Sequence, residues 1–397
     1  MSNISKDLNA DQVLVEKNND QALVNRVNYQ AKYIKNVDEF IEKIIKKTVI
    51  PIQLEIQPGR ESGKKLCWMS CPYCYGGSAD NTGTRLDIDK YLSVLDETVN
   101  GPHGNINKII VAGYATDPLH YEHVSQLIKK IISNKQIMGI HTKLLKIPKD
   151  LDNILKGDDL QKGSYLTISL DAGFPDSYNK THGLPGTKNV LSKIIENIKT
   201  IKSLKINNLN VGATYLVTSA NNSDEEIRES IRICNEIGVE TLRFSMPQTP
   251  RGYTLTEEED IIIKEKTKEI ERISNIVSET KSENCAVSAV DPDKDFKIDK
   301  TRYLPCFARF VHPAIGFDGQ LYHCSESSSP NFSSMSLGNL QKRGFWESYY
   351  DYDLEKIKDA FSEMEKNACM CDRKLFIVNQ NITESKNFNL LEKYLKI

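Results

Sequence analysis

The chain of 397 residues has almost no charge imbalance: 52 Lys+Arg stand against 54 Asp+Glu, a formal net charge of −2. A nucleic-acid binder normally needs a strong basic excess to displace counterions from phosphates, so that class is set aside. Long apolar runs are missing too. None approaches the roughly 18–20 residues that a membrane span requires, so no transmembrane helix and no membrane partner are expected. The opening stretch, Met1-Ser2-Asn3-Ile4-Ser5-Lys6-Asp7, lacks the apolar core of a secretory signal, which points to the cytoplasm. The 7 histidines show no H-E-x-x-H spacing, so a metalloprotease is excluded. Internal repeats and low-complexity segments are absent.

What is there is cysteine, 9 in all, in a compartment where disulfides are rare. Metal or redox chemistry is the expected use. The chain is long enough for one large domain and a smaller one. Residues 1–49 read as a polar, loosely packed extension with one helix at 37–47, where Val37, Phe40, Ile41, Ile44 and Ile45 recur at helical spacing. From residue 50 a strand–helix rhythm begins. Strands are predicted at Ile52/Leu54/Ile56, 109–111, 140–142, 166–170, 211–217 and 241–245, with helices at 88–98, 124–133, 190–204 and 225–237. Six strands alternating with helices imply a parallel α/β sheet over residues 50–255, open or curled into a partial barrel. Functional residues then belong at the carboxyl ends of the strands. A charged bridging helix is expected over 256–284, then a small domain over 285–380 and a C-terminal helix over 381–397. Within the small domain, Phe317-Asp318-Gly319 reads as a hairpin turn between 310–315 and 320–323, with helices near 340–350 and 353–366.

The strongest motif follows the first strand: Cys67-Trp68-Met69-Ser70-Cys71-Pro72-Tyr73-Cys74, a C-x3-C-x2-C spacing. Three neighbouring thiolates suit three irons of a cubane and leave the fourth iron open to a ligand. Zinc is the alternative, but zinc wants four ligands and usually two C-x2-C pairs. The motif resembles that of the radical S-adenosylmethionine (radical SAM) superfamily, with Tyr73 at its aromatic position. The resemblance implies a partial (β/α)6 barrel and a [4Fe–4S] cluster on Cys67, Cys71 and Cys74. The open iron would chelate S-adenosyl-L-methionine, whose reductive cleavage gives a 5′-deoxyadenosyl radical that abstracts a substrate hydrogen. It further implies cofactor contacts at Thr116 and Asp117, where a Gly-Gly-Glu-type loop is replaced by Gly113-Tyr114-Ala115-Thr116-Asp117. Ser169 and Asp171 after the fourth strand, Thr218 and Asn221 after the fifth, and Arg243 and Ser245 on the sixth complete the implied set. Asp176, Tyr178, His182 and Gly183 also look like this family's loop. An external electron donor such as flavodoxin or ferredoxin is implied as a partner.

Cys306, Gly319 and Cys324, followed by Cys369 and Cys371, resemble the auxiliary-cluster extensions of such enzymes. The long form, SPASM, needs seven or more cysteines. Four suffice for one auxiliary [4Fe–4S] cluster, the shorter twitch form, although the last pair is C-x-C where C-x2-C is commoner; a four-cysteine zinc knot is the alternative. Cys234 shares a helical face with Ile227 and Ile231 and reads as core. Cys285 is a candidate hydrogen donor to a substrate radical. His120, His123 and His141 read as surface residues. The resemblance favours a peptide or protein substrate that is cross-linked, epimerised or oxidised. Residues 1–49 are short for a leader-binding module, which would make a separate leader-binding protein a partner. The alternatives are a small-molecule dehydrogenase or cyclase of the twitch type and, from another class, a non-catalytic zinc or redox scaffold.

Overall fold

The computed structural model describes residues 34, 36–59, 67, 69–74, 85–113, 116–156, 160–186, 189–247, 265–290, 306–328, 330–353, 378–379 and 381–395. Its first element is helix α1 (Val37–Ile45), whose N-terminus is capped by the Asn36 side chain accepting from the Glu39 N–H at 3.2 Å. The strand–helix alternation then runs β1 (Leu54–Ile56), α2 (Ile88–Thr98), β2 (Lys108–Val111), α3 (Val124–Ser133), β3 (Ile137–Thr142), α4 (Leu151–Leu155), β4 (Ser164–Ser169), α5 (Pro175–Thr181), α6 (Val190–Ser203), β5 (Leu209–Leu216), α7 (Asp224–Ile237) and β6 (Thr241–Ser245). A further pair follows, α8 (Lys266–Glu279) and β7 (Ala286–Ala289). The remaining elements are β8 (Ala314–Ile315), β9 (Gln320–Tyr322), β10 (Gly338–Asn339), α9 (Phe345–Tyr350) and α10 (Phe388–Leu395).

All ten strands join one sheet in the order β10-β9-β8-β1-β2-β3-β4-β5-β6-β7. β1 to β7 are parallel neighbours, and the sheet stays unclosed. The α/β class and the partial barrel are therefore as expected, with two differences. A seventh parallel strand, β7, pairs with β6, and the helix before it, α8, packs back on β6, β7 and α7. Ala286-Val287-Ser288-Ala289 is too short and too mildly apolar to announce a strand; pairing with β6 creates it. The second difference concerns the C-terminal hairpin. Gly319 (φ +75°) turns β8 into the antiparallel β9 as foreseen, but β8 also pairs in parallel with β1. The hairpin thus extends the barrel sheet. The helix expected at 353–366 falls almost wholly outside the described residues.

Alternation along the strands decides where the core sits. On β4, Ser164, Leu166 and Ile168 are buried towards the helices, while Tyr165, Thr167 and Ser169 are half-buried on the other face. β5 repeats this with Val211, Ala213 and Tyr215 against Asn210, Thr214 and Leu216. The helix-facing side joins Ile128, Ile131, Ile194, Ile198, Ile227 and Ile231 in one core, each such side chain contributing roughly 1.5–3 kcal/mol. The lumen side is polar. A closed barrel of this type fills its interior with branched apolar side chains; here the interior is left for a ligand. Among the described residues no helix is long and apolar enough to cross a membrane.

Candidate active site

The chain returns after β1 as the cysteine loop. Cys67 and Cys71 are half-buried and Cys74 is exposed; all three are outside any disulfide. The Met69 N–H donates to Cys67 Sγ at 3.4 Å, and the Cys74 N–H donates to the Cys71 carbonyl at 3.0 Å, closing a turn over Pro72 and Tyr73. The loop rests on the end of α5: the Ser70 N–H donates to the His182 carbonyl at 3.1 Å. Gly183 (φ +58°) makes this approach possible, since a Cβ there would lie 2.4 Å from the Ser70 carbonyl oxygen.

His182 is the hub of this contact. Its Nδ1 lies 3.1 Å from Cys71 Sγ, 3.2 Å from Tyr73 Oη and 3.4 Å from Lys143 Nζ, while its Nε2 lies 3.5 Å from Asp171 Oδ2. Lys143 Nζ is itself 3.5 Å from Asp171 Oδ2. Burial, with Lys143 adding to it, holds the His182 pKa well below its ordinary value, so the imidazole is neutral. Burial pushes the Cys71 thiol up to about 11, and Lys143 opposes that rise. Burial also works against the Lys143 ammonium, but Asp171, Cys71 and Cys67 together outweigh it and its pKa rises.

Asp171 follows β4 in a left-handed conformation (φ +53°). Its Oδ1 accepts the Leu216 N–H at 2.8 Å. Asn221, fully buried, donates to the carbonyls of Asp171 (2.7 Å) and Leu216 (2.9 Å) and accepts from the Thr218 N–H at 2.6 Å. One amide therefore fixes the carboxyl ends of β4 and β5 together. The same loop is anchored from α7, where Glu226 accepts the N–H groups of Gly173 (2.6 Å) and Phe174 (3.3 Å) and the Ser177 hydroxyl.

A cavity of about 230 Å³ opens inside the sheet, lined by Tyr73, Asp171 and Leu216 and by Ser169, Thr214 and Arg243 on β4, β5 and β6. Lys143, His141, Thr167 and Ser245 complete it. On its β3 side, His141 Nε2 lies 3.2 Å from Tyr165 Oη, and Lys108 Nζ stands 5.0 Å from the centre of that ring. Gly139 makes room for the ring: a Cβ there would sit 2.5 Å from Tyr165 Cζ. Glu55 of β1 pairs with His312 at 3.0 Å and accepts from Gln57 at 2.6 Å. Burial alone would raise the Glu55 pKa; the His312 pairing and the Gln57 hydrogen bond outweigh it and hold the pKa below the ordinary carboxylate value.

The structure sorts the sequence-derived candidates. Tyr73, Ser169, Asp171, Arg243 and Ser245 line the cavity. Asn221 and Thr218 stand behind it as supports. Asp117 does not line it: its carboxylate accepts from Thr142 Oγ1 (2.7 Å), the Lys143 N–H (2.7 Å) and the Leu119 N–H (3.0 Å), bracing the end of β3. Thr116 is beside it, with its hydroxyl buried. His141, read as a surface residue, is exposed, and it also lines the cavity because β3 turns that position towards the lumen. Cys285, the candidate hydrogen donor, lies away from this cavity. It is buried at the foot of β7 against Cys234, also buried, and is not among the cavity residues. Lys143, Thr167 and Thr214 were missed, although all three lie at or near strand ends where the topology rule directs attention.

Of the second cysteine group, Cys306 and Cys324 are buried and outside any disulfide, Cys324 Sγ lying 3.6 Å from Ser327 Oγ. Cys369 and Cys371 lie outside the described residues. Among the described residues no group of three or more His, Cys, Asp or Glu is arranged to hold a metal ion. The donor chemistry of the first loop nevertheless suits an iron–sulfur group: three thiols on one short turn, coupled electrostatically to each other and faced by one ammonium.

Residues 65–231 match the family model of the radical SAM superfamily. The fold is similar to that of Streptococcus suis SuiB bound to precursor peptide SuiA, with a TM-score of 0.59 and 16% identity over 95% of this chain and 79% of that one. SuiB bound to S-adenosylmethionine gives 0.58 and 15% identity over 85% and 75%. A curated relative, the GTPase Obg of Brachyspira hyodysenteriae, is 28% identical over 177 residues, 44% of this chain and 25% of that protein. The chain thus spans about a quarter of that relative, and it has no G-x4-G-K-[ST] phosphate loop.

Proposed function

Because the chain carries a radical SAM domain, we propose that it is a radical SAM enzyme that modifies a peptide, by cross-linking, epimerisation or oxidation. One observation carries the reading: the three-thiol loop and the polar lumen meet through Tyr73, His182, Lys143 and Asp171. Cys67, Cys71 and Cys74 would hold a [4Fe–4S] cluster, and Tyr73, Ser169, Asp171 and Arg243 would face S-adenosyl-L-methionine. When bound, these groups supply a 5′-deoxyadenosyl radical able to take a hydrogen atom from a substrate. The chain's own part is orientation. Asn221 and Glu226 fix the loop bearing Asp171, and Tyr73 brings the cysteine loop to the cavity. Cys306 and Cys324, with Cys369 and Cys371, would hold an auxiliary cluster. An external electron donor of the flavodoxin or ferredoxin kind would supply the reducing electron.

The peptide substrate is supported by the fold similarity to a protein seen with a precursor peptide. A small-molecule substrate is the second reading. The test is anaerobic reconstitution with iron and sulfide, followed by S-adenosylmethionine and dithionite. Wild-type protein should release 5′-deoxyadenosine, and Cys67→Ala should release none. Zinc without iron, or a donor that survives intact, would overturn the reading. Mass spectrometry of synthetic precursor-type peptides, with and without a leader, then separates the peptide reading from the small-molecule one.

A further inference from the structure

We propose that Lys143 is the positioning residue that balances charge at the first cysteine loop, its fixed ammonium standing among Cys71, Asp171 and His182. The inference rests on the iron–sulfur reading and goes beyond it, because the sequence motif contains no lysine and none of the implied cofactor contacts includes this residue.

The backbone aims the side chain. The Lys143 N–H donates to Asp117 Oδ2 at 2.7 Å, and the next residue, Leu144, is left-handed (φ +52°) with its N–H donating to Thr142 Oγ1 at 2.8 Å. A lysine following a strand would ordinarily run to solvent. Here the turn at Leu144 directs it into the lumen, where its side chain is 21% exposed. A left-handed non-glycine residue costs roughly 1–2 kcal/mol, so this direction is held by the hydrogen bonds around it.

The surroundings give the ammonium its task. Three thiolates on a cubane core of charge about 2+ would leave about one net negative charge at the loop and about two after reduction, and Asp171 adds its carboxylate at 3.5 Å from Nζ. His182 is neutral and spans the gap, 3.1 Å from Cys71 Sγ and 3.4 Å from Nζ. Arg243 lines the same cavity, but from β6. Lys143 is therefore the cation that meets the acid directly and Cys71 through His182 Nδ1. In a partly buried site a fixed positive charge favours an added electron more than it would in water. Its removal should make reduction of a bound cluster harder without taking away a ligand.

The experiment compares reconstituted wild type, Lys143→Met, Lys143→Gln and Lys143→Arg, reading iron per chain and the reductive titration followed by electron paramagnetic resonance. Lys143→Met and Lys143→Gln should keep wild-type iron and shift the reduction equilibrium at least tenfold against the reduced form, about 59 mV for one electron. Lys143→Arg should restore most of that shift. Loss of iron in the neutral variants that arginine restores would support the same role. An unchanged potential in iron-loaded Lys143→Met overturns the proposal, as does loss of iron that arginine fails to restore. A wild-type chain that takes up no iron would instead remove the cluster reading, and this inference with it.

Discussion

Gln57 and Ser325, 268 residues apart, meet where the Gln57 side-chain amide donates to the Ser325 carbonyl at 3.4 Å. Ser328 returns the contact by donating its hydroxyl to Gln57 Oε1. Gln57 directly follows β1, the strand that feeds the first cysteine loop, and Ser325 directly follows Cys324. The two cysteine regions are thus tied to one side chain.

That link gives a first prediction, on iron. If Cys324 is a ligand, Cys324→Ala should lower iron from about eight to about four per chain, the difference between two [4Fe–4S] clusters and one. Release of 5′-deoxyadenosine in the absence of substrate should persist. Unchanged iron by colorimetric assay would withdraw Cys324 from the ligand set.

Asn221→Ala removes the amide that fixes Asp171 and Leu216 and leaves buried carbonyls unpaired. The expected cost is roughly 1–3 kcal/mol of stability, read as a lower urea midpoint. Binding of S-adenosylmethionine to reconstituted protein should weaken by more than the small change a surface substitution gives. Wild-type affinity in a folded variant would show that the geometry of Asp171 does not matter to that ligand.

Gly139→Ala should destabilise by about 1–3 kcal/mol through overpacking, because its Cβ would fall 2.5 Å from Tyr165 Cζ. The companion Tyr165→Leu should relieve most of that loss in the double variant. Additive losses in the urea midpoints would mean that the two residues do not share the space.

The pH dependence of stability follows from Glu55. Its folded pKa lies below the ordinary value of 4.5, with burial opposing the shift and the His312 and Gln57 contacts prevailing. The stabilisation is therefore present above the unfolded-state pKa and is lost as pH falls through the folded one. Glu55→Gln should be less stable than wild type near neutrality, and the gap should close below about pH 4.5. A gap that stays constant from pH 7 to pH 3.5 would sink this assignment.

Much of this was legible in the chain before any coordinates. The apolar spacing of Ile88–Thr98 and Val124–Ser133 matches the helices found there, and Thr241–Ser245 is the sixth strand as read. Tyr73, Ser169, Asp171 and Arg243, taken from strand ends, stand around one cavity. What was hidden depends on long-range pairing. Ala286–Ala289 becomes a strand only beside β6, and the parallel pairing of Ala314–Ile315 with β1, beyond its expected hairpin, shows only once the sheet is assembled. Lys143 was unreadable for a related reason: a lysine after a strand looks solvated until the turn at Leu144 is known. His141 differs from an outer-surface histidine only by the face its strand presents.

The parallel pairing of β8 with β1 bears on how such chains are cut and recombined. A C-terminal segment removed at residue 285 would expose the backbone of the very strand that launches the first cysteine loop. A transplanted tail would need to bring a matching edge and a partner for Gln57. The tail completes the sheet beside the first strand, and exchanging it for another would mean rebuilding that strand as well.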